Sequence, residues 1–418
     1  MPTDRIVATY AVETPLPLAK AAESLAGEQS SGTFVAVPGE TAELKAAFAA
    51  RVEKVVEREA VDKPSLPGPP PKGVSNPKYT RGEVTVSWPA HNPGRNLPAL
   101  FSTMQGNLYE LRQFTGLKLL DFDVPDDFVA AYRGPAFGVD GTRALCGAPA
   151  GKPLIGTIIK PSVGLTPQQT ADLVKTLVEA GIDFIKDDEL QTDAPHSPFD
   201  VRVDAIMRVV NDYAQKSGRK PMFAFNVTDE YDRMMRHYDK VVAAGGTCAM
   251  VSVNAVGLVA TKTVCDRGQL AIHGHRNGWG MLNRHPMLGM GFAAYQKFLR
   301  LAGVDQLHVN GIANKFWEPD DSVVASIEAV RKPLGKQKTI APVISSGQTG
   351  LQAPETYRRT QTVDVLYLAG GGIAAHPSGH GAGVRALRQA WEAAMTGTSL
   401  EEYAQTHSEL RDAMTKFG

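Results

Sequence analysis

Lys186-Asp187-Asp188-Glu189 is the densest run of chemically capable side chains in the sequence, and it follows a short apolar stretch, Phe184-Ile185. Hard divalent cations take oxygen ligands, and carboxylates projecting from the end of a strand supply them. In a regular strand Asp188 and Glu189 point to opposite faces, so both reach one ion only where the chain leaves β geometry. On residue types alone, a solvated, charged strand end is the commoner reading. Lys160 closes another apolar run, LIGTII. There a lysine with a depressed pKa can move a proton to or from a substrate carbon; the plainer alternative is a solvated cation. The planar guanidinium fork of Arg276, with His308, suits an anion such as phosphate. Two glycine clusters, Ser345-Ser346-Gly347-Gln348 and Gly370-Gly371-Gly372, offer backbone N–H groups to the same kind of group.

These residues can act together only if one scaffold returns them all to the same end. From about residue 153 a unit recurs at intervals of roughly 30 residues: a β-branched apolar run, a polar loop and an amphipathic helix. The runs are PLIGTIIK, DFIKDDE, MFAFNVT, CAMVSVN, AIHGHRN, QLHVNG, TIAPVISSG and VDVLYLAGG, alternating with helices such as Thr166 to Ala180 and Val384 to Met395. The reading is an α/β fold, a (β/α)8 TIM barrel over 138–418 with a helical C-terminal tail. Barrel enzymes work at the C-terminal rim, where the polar and glycine residues gather. Residues 1–137 read as a smaller N-terminal α+β (ferredoxin-like) domain. Its strand-like segments are RIVATYAVE and EVTVSWPA, with helical segments from Glu43 to Glu57 and Leu97 to Phe114. Between them, a Pro- and Gly-rich stretch from Asp62 reads as an exposed loop.

The run DFIKDDE, with GTIIKP ending at Pro161, HGHR from His273 to Arg276, and GGG followed by HPSG, resembles the RuBisCO family in order and spacing over nearly the whole chain. The chain is similar to RuBisCO-like proteins of that family. The resemblance implies that Lys186 reacts with CO2 to form a carbamate, which with Asp188 and Glu189 binds Mg2+. It also implies proton transfer by Lys160, site roles for His275 and Arg276 on the fifth barrel strand and His308 on the sixth, and a sixth-loop lysine at Lys315. Ser345 or Ser346, with Gly347, Gly370 and Gly371, is then implied to bind phosphate, while His273 is expected to pack within its strand. EQSSGTF from Glu28 resembles the family's ESSTGTW, which makes Thr33 a phosphate donor and puts Phe34 in place of a tryptophan; Asn107 matches an N-domain asparagine. Such residues complete a neighbouring subunit's site, implying a homodimer or higher homo-oligomer with shared active sites.

One position departs from the family: Ser162 stands where the carboxylating enzymes have a second lysine. This argues against CO2-fixing activity, because a cation at the site of CO2 addition is missing. The implied reaction is that of a Mg-dependent carboxy-lyase. It decarboxylates a β-keto sugar-acid phosphate of the 3-oxo-isoapionate 4-phosphate type, in apionate catabolism, through an enediolate. The alternatives are a transcarboxylase/hydrolase on the same substrate, a methionine-salvage enolase or isomerase on a methylthio-sugar phosphate, and a noncatalytic sugar-phosphate binder on a retained scaffold.

Lys+Arg 44 balances Asp+Glu 44, so charge gives no reason to expect a nucleic-acid or membrane partner. A chain of 418 residues with 43% hydrophobic content suits two domains with sizeable cores. With no export signal in MPTDRIVATYAVET, the expected location is cytoplasmic. Cys146, Cys248 and Cys265 lack metal-ligand spacing and read as reduced core residues.

Overall fold

The computed structural model describes residues 4–32, 37–69, 71, 73–75 and 77–418. In chain order the strands are β1 (Arg5–Thr14), β2 (Arg51–Val61), β3 (Tyr79–Pro89), β4 (Gly116–Asp123), β5 (Leu154–Ile158), β6 (Phe184–Lys186), β7 (Met222–Asn226), β8 (Cys248–Ser252), β9 (Ala271–His275), β10 (Leu288–Met290), β11 (Gln306–His308), β12 (Ala341–Ile344) and β13 (Leu366–Leu368). They divide between two compact units, Met1–Tyr132 with Gly278–Leu301, and Arg133–Asn277 with Ala302–Gly418.

The first unit is built on a mixed sheet ordered β10-β4-β1-β3-β2. Alternation along β1 buries Ile6, Ala8, Tyr10 and Val12 on one face, and β3 answers with Val84, Val86 and Trp88. The helix expected from Glu43 to Glu57 spans only Ala42–Phe48, and the rest is edge strand β2. The cause is legible afterwards. The pairing of β2 with β3 shifts register between Val52 and Lys54 and between Glu57 and Glu59. Each extra residue interrupts the period of two, so Val52, Val55 and Val56 mimic helical spacing. The second expected helix also stops early, at Gln105, because Gly106 takes φ 41 and ψ −135, a conformation only glycine adopts without strain.

The expected boundary between 137 and 138 becomes one between 132 and 133, with a later segment, 278–301, also in the first unit. In that segment β10 pairs in parallel with β4, Leu288 opposite Leu117 and Met290 opposite Leu119. A three-residue strand has no period to read, so the excursion leaves no mark in the sequence.

The second unit is the closed barrel β11-β12-β13-β5-β6-β7-β8-β9. Its strands coincide with the eight apolar runs, and most are buried on both faces, as parallel strands under a coat of helices must be. Phe184, Met222, Cys248, Met250, Val343 and Leu368 fill its interior. Helix Pro167–Glu179 shows how the outer layer is set. Thr166 and Gln169 form a capping box at its start, and Ala171, Val174, Leu177 and Val178 form its buried stripe. Cys146, Cys248 and Cys265 are free and buried. Among the described residues, no helix is long and apolar enough to cross a membrane.

Candidate active site

Lys186 is the last residue of β6 and is 1% exposed. Its Nζ donates to the Asp187 carbonyl at 2.8 Å and lies 3.8 Å from Glu189 Oε2. Burial holds its pKa down to about 8, although Glu189, Asp188 and Asp187 pull it up. After Lys186 the chain leaves β geometry in a turn closed by Gln191 N–H donating to the Asp188 carbonyl at 3.0 Å. Asn226 Nδ2, from the next strand, donates to the carbonyls of Asp188 and Glu189 at 3.3 and 3.2 Å. That is the departure a shared cation site requires.

The turn also separates two aspartates that the sequence alone does not distinguish. Asp187 Oδ1 lies 3.4 Å from Arg202 Nε in an ion pair without a hydrogen bond, and its Oδ2 accepts from Asn226 N–H at 3.0 Å. Burial pushes its carboxyl up despite Arg202. Asp188 Oδ2 accepts from Lys160 Nζ at 2.6 Å, and Oδ1 accepts from Leu190 N–H at 3.1 Å. Burial raises the Asp188 carboxyl, but these hydrogen bonds and the charges of Lys160 and Lys186 together hold it below its ordinary value. Asp188 and Glu189 thus face two lysines. The donor set fits a carbamate-assisted hard cation: a buried amine near its neutral form, and two carboxylates whose charge the lysines now balance.

His275, ending β9, places Nε2 3.5 Å from Glu189 Oε2. Its Nδ1 accepts from Asn277 N–H at 3.3 Å, so Nε2 carries the proton. Burial, then the charge of Lys186, brings its pKa down to about 3, leaving a neutral ring at ordinary pH. The His308 ring packs edge-on at 4.4 Å between centroids. His308 closes a buried chain in which Gln306 Oε1 to His273 Nδ1, His273 Nε2 to His308 Nε2, and His308 Nδ1 to Ser345 Oγ are each 2.9 Å. The glutamine carbonyl only accepts, so protons point toward Gln306 throughout and Ser345 donates to His308. His273 packs inside the barrel and also orients His308.

Ser346 Oγ donates to Asn310 Oδ1 at 2.7 Å, and Asn310 Nδ2 donates to Glu318 Oε2 at 2.5 Å. Arg276 Nη2 also donates to Glu318 Oε2, at 2.8 Å, with both side chains buried. The guanidinium expected to meet phosphate is therefore neutralised in part by a carboxylate that residue types did not single out. Ser346 and Gly347 hold positive φ of 76 and 88, and Lys315 N–H donates to the Ser346 carbonyl at 3.0 Å. The Lys315 ammonium lies 5.3 Å over the Phe316 ring. A Cβ on Gly370 would sit 3.7 Å from Lys160 Cε, whereas Gly371 borders open space.

The second unit thus gathers Lys160, Lys186, Asp188, Glu189 and His275 in one cluster. Arg276, His308, Ser345, Ser346, Gly347 and Lys315 form a contiguous set joined to it through the two histidine rings. In the first unit Asn107 is exposed and precedes a single turn, Leu108–Glu110. Thr33 and Phe34 lie outside the described residues. Sequence reasoning passed over Gln306, Asn310, Glu318, Asn226 and Arg202; the one signal was polarity inside otherwise apolar runs, as in QLH and FWE.

Comparison with known proteins bears on the whole chain. The description of the ribulose bisphosphate carboxylase large chain, N-terminal domain, matches residues 2–128, and that of its catalytic domain matches residues 141–417. The chain is 53% identical over 414 residues to a 3-oxo-isoapionate-4-phosphate transcarboxylase/hydrolase of Xanthobacter autotrophicus, covering 99% of each. It is 46% identical over 415 residues to a 3-oxo-isoapionate-4-phosphate decarboxylase of Rhizobium etli, covering 99% of this chain and 98% of the relative. The crystal structure of a rubisco-like protein from Burkholderia fungorum superposes with a TM-score of 0.92 at 43% identity, covering 99% of this chain and all of the other.

Proposed function

The chain belongs to the RuBisCO large-chain family, and on that premise we propose that it breaks the bond to the carboxylate of a phosphorylated β-keto sugar acid of the 3-oxo-isoapionate 4-phosphate type. The electron pair left behind makes an enediolate. The observation that carries this reading is the buried Lys186 amine beside the buried Asp188 carboxylate and the part-exposed Glu189 carboxylate. When Lys186 is carbamylated, that group with Asp188 and Glu189 would hold Mg2+, whose Lewis acidity stabilises enediolate charge. This follows the family's use of the site and the fit of the donors.

The remaining steps fall to the chain's own side chains. Lys160 holds a proton 2.6 Å from Asp188 and moves it at the carbon beside the carbonyl. His275 presents a neutral Nε2–H toward the same cluster and orients an oxygen of the substrate. Lys315 supplies a cation for the carboxylate in transit, and the turn at Ser346 and Gly347, with Gly370 and Gly371, offers backbone N–H groups to phosphate. Ser162 accepts from Lys160 Nζ at 2.8 Å where a carboxylating enzyme would keep a lysine, which weighs against net CO2 fixation.

The fate of the carboxylate separates two readings. Identity of 53% against 46% favours the course named for the Xanthobacter enzyme, in which the group is transferred and a bond is then hydrolysed. Simple decarboxylation is the second reading. Turnover of a substrate labelled in its carboxylate tests both. Label retained in an acid product supports the first, and stoichiometric labelled CO2 supports the second. Activity confined to methylthio-sugar phosphates removes both.

Replacing Lys160 by methionine is expected to lower kcat by about 10²- to 10⁴-fold, with a smaller change in KM, as loss of a proton-transfer group should. Steady-state kinetics with Mg2+ and bicarbonate check it. Activation has its own pH dependence. Only the neutral amine attacks CO2, and burial places the Lys186 pKa at about 8. At fixed dissolved CO2 the activation rate should rise roughly tenfold per pH unit below that value and level off above it. An activation rate flat from pH 6 to about 8 would contradict this assignment. Assembly as a homodimer in which Thr33 and Asn107 complete the partner's site belongs to the same proposal. Light scattering should give at least twice the 44.8 kDa chain mass.

A further inference from the structure

The loops after β6 and β7 carry a second constellation that the proposed reaction does not use. Asp193 follows the Lys186 turn, Asp229 follows β7, and His237 lies in the helix Tyr231–Ala243. One ligand atom from each lies within 4.8 Å of the others. His237 is 5% exposed, and its Nδ1 is buried without a hydrogen-bond partner. Its ring is stacked on Phe199, with centroids 4.1 Å apart and planes at 24°, which fixes where the nitrogens point.

Both carboxylates are oriented by their other oxygen. Phe199 N–H donates to Asp193 Oδ1 at 2.7 Å. Glu230 N–H and Arg233 Nε donate to Asp229 Oδ1 at 2.7 and 2.8 Å. Each Oδ2 is left toward the imidazole: Asp193 Oδ2 is 3.7 Å from Nε2, and Asp229 Oδ2 is 3.9 Å from Nδ1. Those separations are too long for hydrogen bonds. They run to the two different ring nitrogens, only one of which can face an ion. With that nitrogen, one oxygen of each carboxylate lies within 4.8 Å, which small side-chain shifts would bring to the roughly 3.4 Å between ligands on one tetrahedral ion.

We propose that Asp193, Asp229 and His237 form a second metal site, selective for a divalent transition ion such as Zn2+ over Mg2+. One imidazole nitrogen with two carboxylate oxygens is a borderline donor set, unlike the all-oxygen set at Asp188 and Glu189. An ion there clamps the loop that follows Glu189 to the loop that follows Asn226, and Asn226 itself holds the Asp188 and Glu189 carbonyls. The guanidinium of Arg233, 2.6 Å from Asp229 Oδ1 and half exposed, is the charge such an ion opposes. This inference does not depend on the reaction proposed above.

Calorimetric titration of the full chain with Zn2+, after chelator treatment and in saturating Mg2+ and bicarbonate, tests it. Co2+ serves as the visible-absorption probe. One equivalent should bind to the natural protein and equally to Lys186→Ala. His237→Gln and Asp193→Asn should each weaken binding by at least about 100-fold, and Arg233→Ala should tighten it. The Asp193 side chain is 39% exposed, so its asparagine variant keeps the fold even if the histidine variant does not. Zn2+ should raise the Tm of the natural protein and not that of Asp193→Asn. Binding that survives Asp193→Asn and Asp229→Asn unchanged, or that disappears with Lys186→Ala, overturns the site.

Discussion

Methionine at position 186 is expected to leave less than about one part in 10⁴ of the natural turnover in a protein that still folds. The argument starts from burial. Lys186 is 1% exposed at the end of β6, and its ammonium is disfavoured there enough to bring its pKa down to about 8. Methionine keeps much of the aliphatic volume and removes a charge the site holds at a cost, so the fold has little to lose. Chemistry has much to lose. A thioether cannot take up CO2, and Asp188 and Glu189 alone are two carboxylates with Lys160 still on one of them. Loss of Lewis-acid stabilisation worth several kcal/mol, at about 1.4 kcal/mol per tenfold in rate, gives the stated factor. Bicarbonate with Mg2+ should activate the natural enzyme and leave the variant unchanged. A variant that retains about a tenth of the natural turnover would remove Lys186 from the mechanism.

Removing the carboxyl of Glu318 should cost stability as well as activity. Glu318 accepts from Arg276, Asn310 and Ser322, and it and Arg276 are 0% and 5% exposed. Alanine there leaves a buried guanidinium facing an unpaired amide, a situation that typically costs about 3–5 kcal/mol. Urea denaturation should show a lower midpoint with an unchanged slope. Adding Arg276→Met to Glu318→Ala should recover part of the stability, because the buried charge that lost its carboxylate goes with it. The exposed pair Arg58–Glu83, at 61% and 41%, makes the contrast; breaking it should change stability by at most about 1 kcal/mol. A loss below about 1 kcal/mol for Glu318→Ala would mean that water reaches the pair.

The barrel was legible because most of its strands are apolar runs ended by polar residues, so strand count and rim chemistry could be read together. Lys160, Lys186 and His275 stand at strand ends for that reason. Beyond the local pattern, legibility fell in particular places. The bulges of β2 gave a strand the spacing of a helix, and the excursion of 278–301 into the first unit rests on three paired residues. Asp187 and Asp188 are adjacent and identical in type; only the turn after Lys186 sends one to Arg202 and the other to Lys160. Glu318 meets Arg276 across 42 positions, and Gln306 sets the tautomer of His308 through His273, contacts that no local period encodes. The His237 cluster was missed for the same reason, since its members come from separate loops and a helix.

The most direct test is carbon-13 NMR of the full chain in labelled bicarbonate with Mg2+. One carbamate resonance per chain should grow in, disappear in Lys186→Met, and weaken when Asp188 or Glu189 is replaced by its amide. Full turnover of the β-keto acid phosphate with no such resonance would show that the chemistry at this rim runs without the modified lysine.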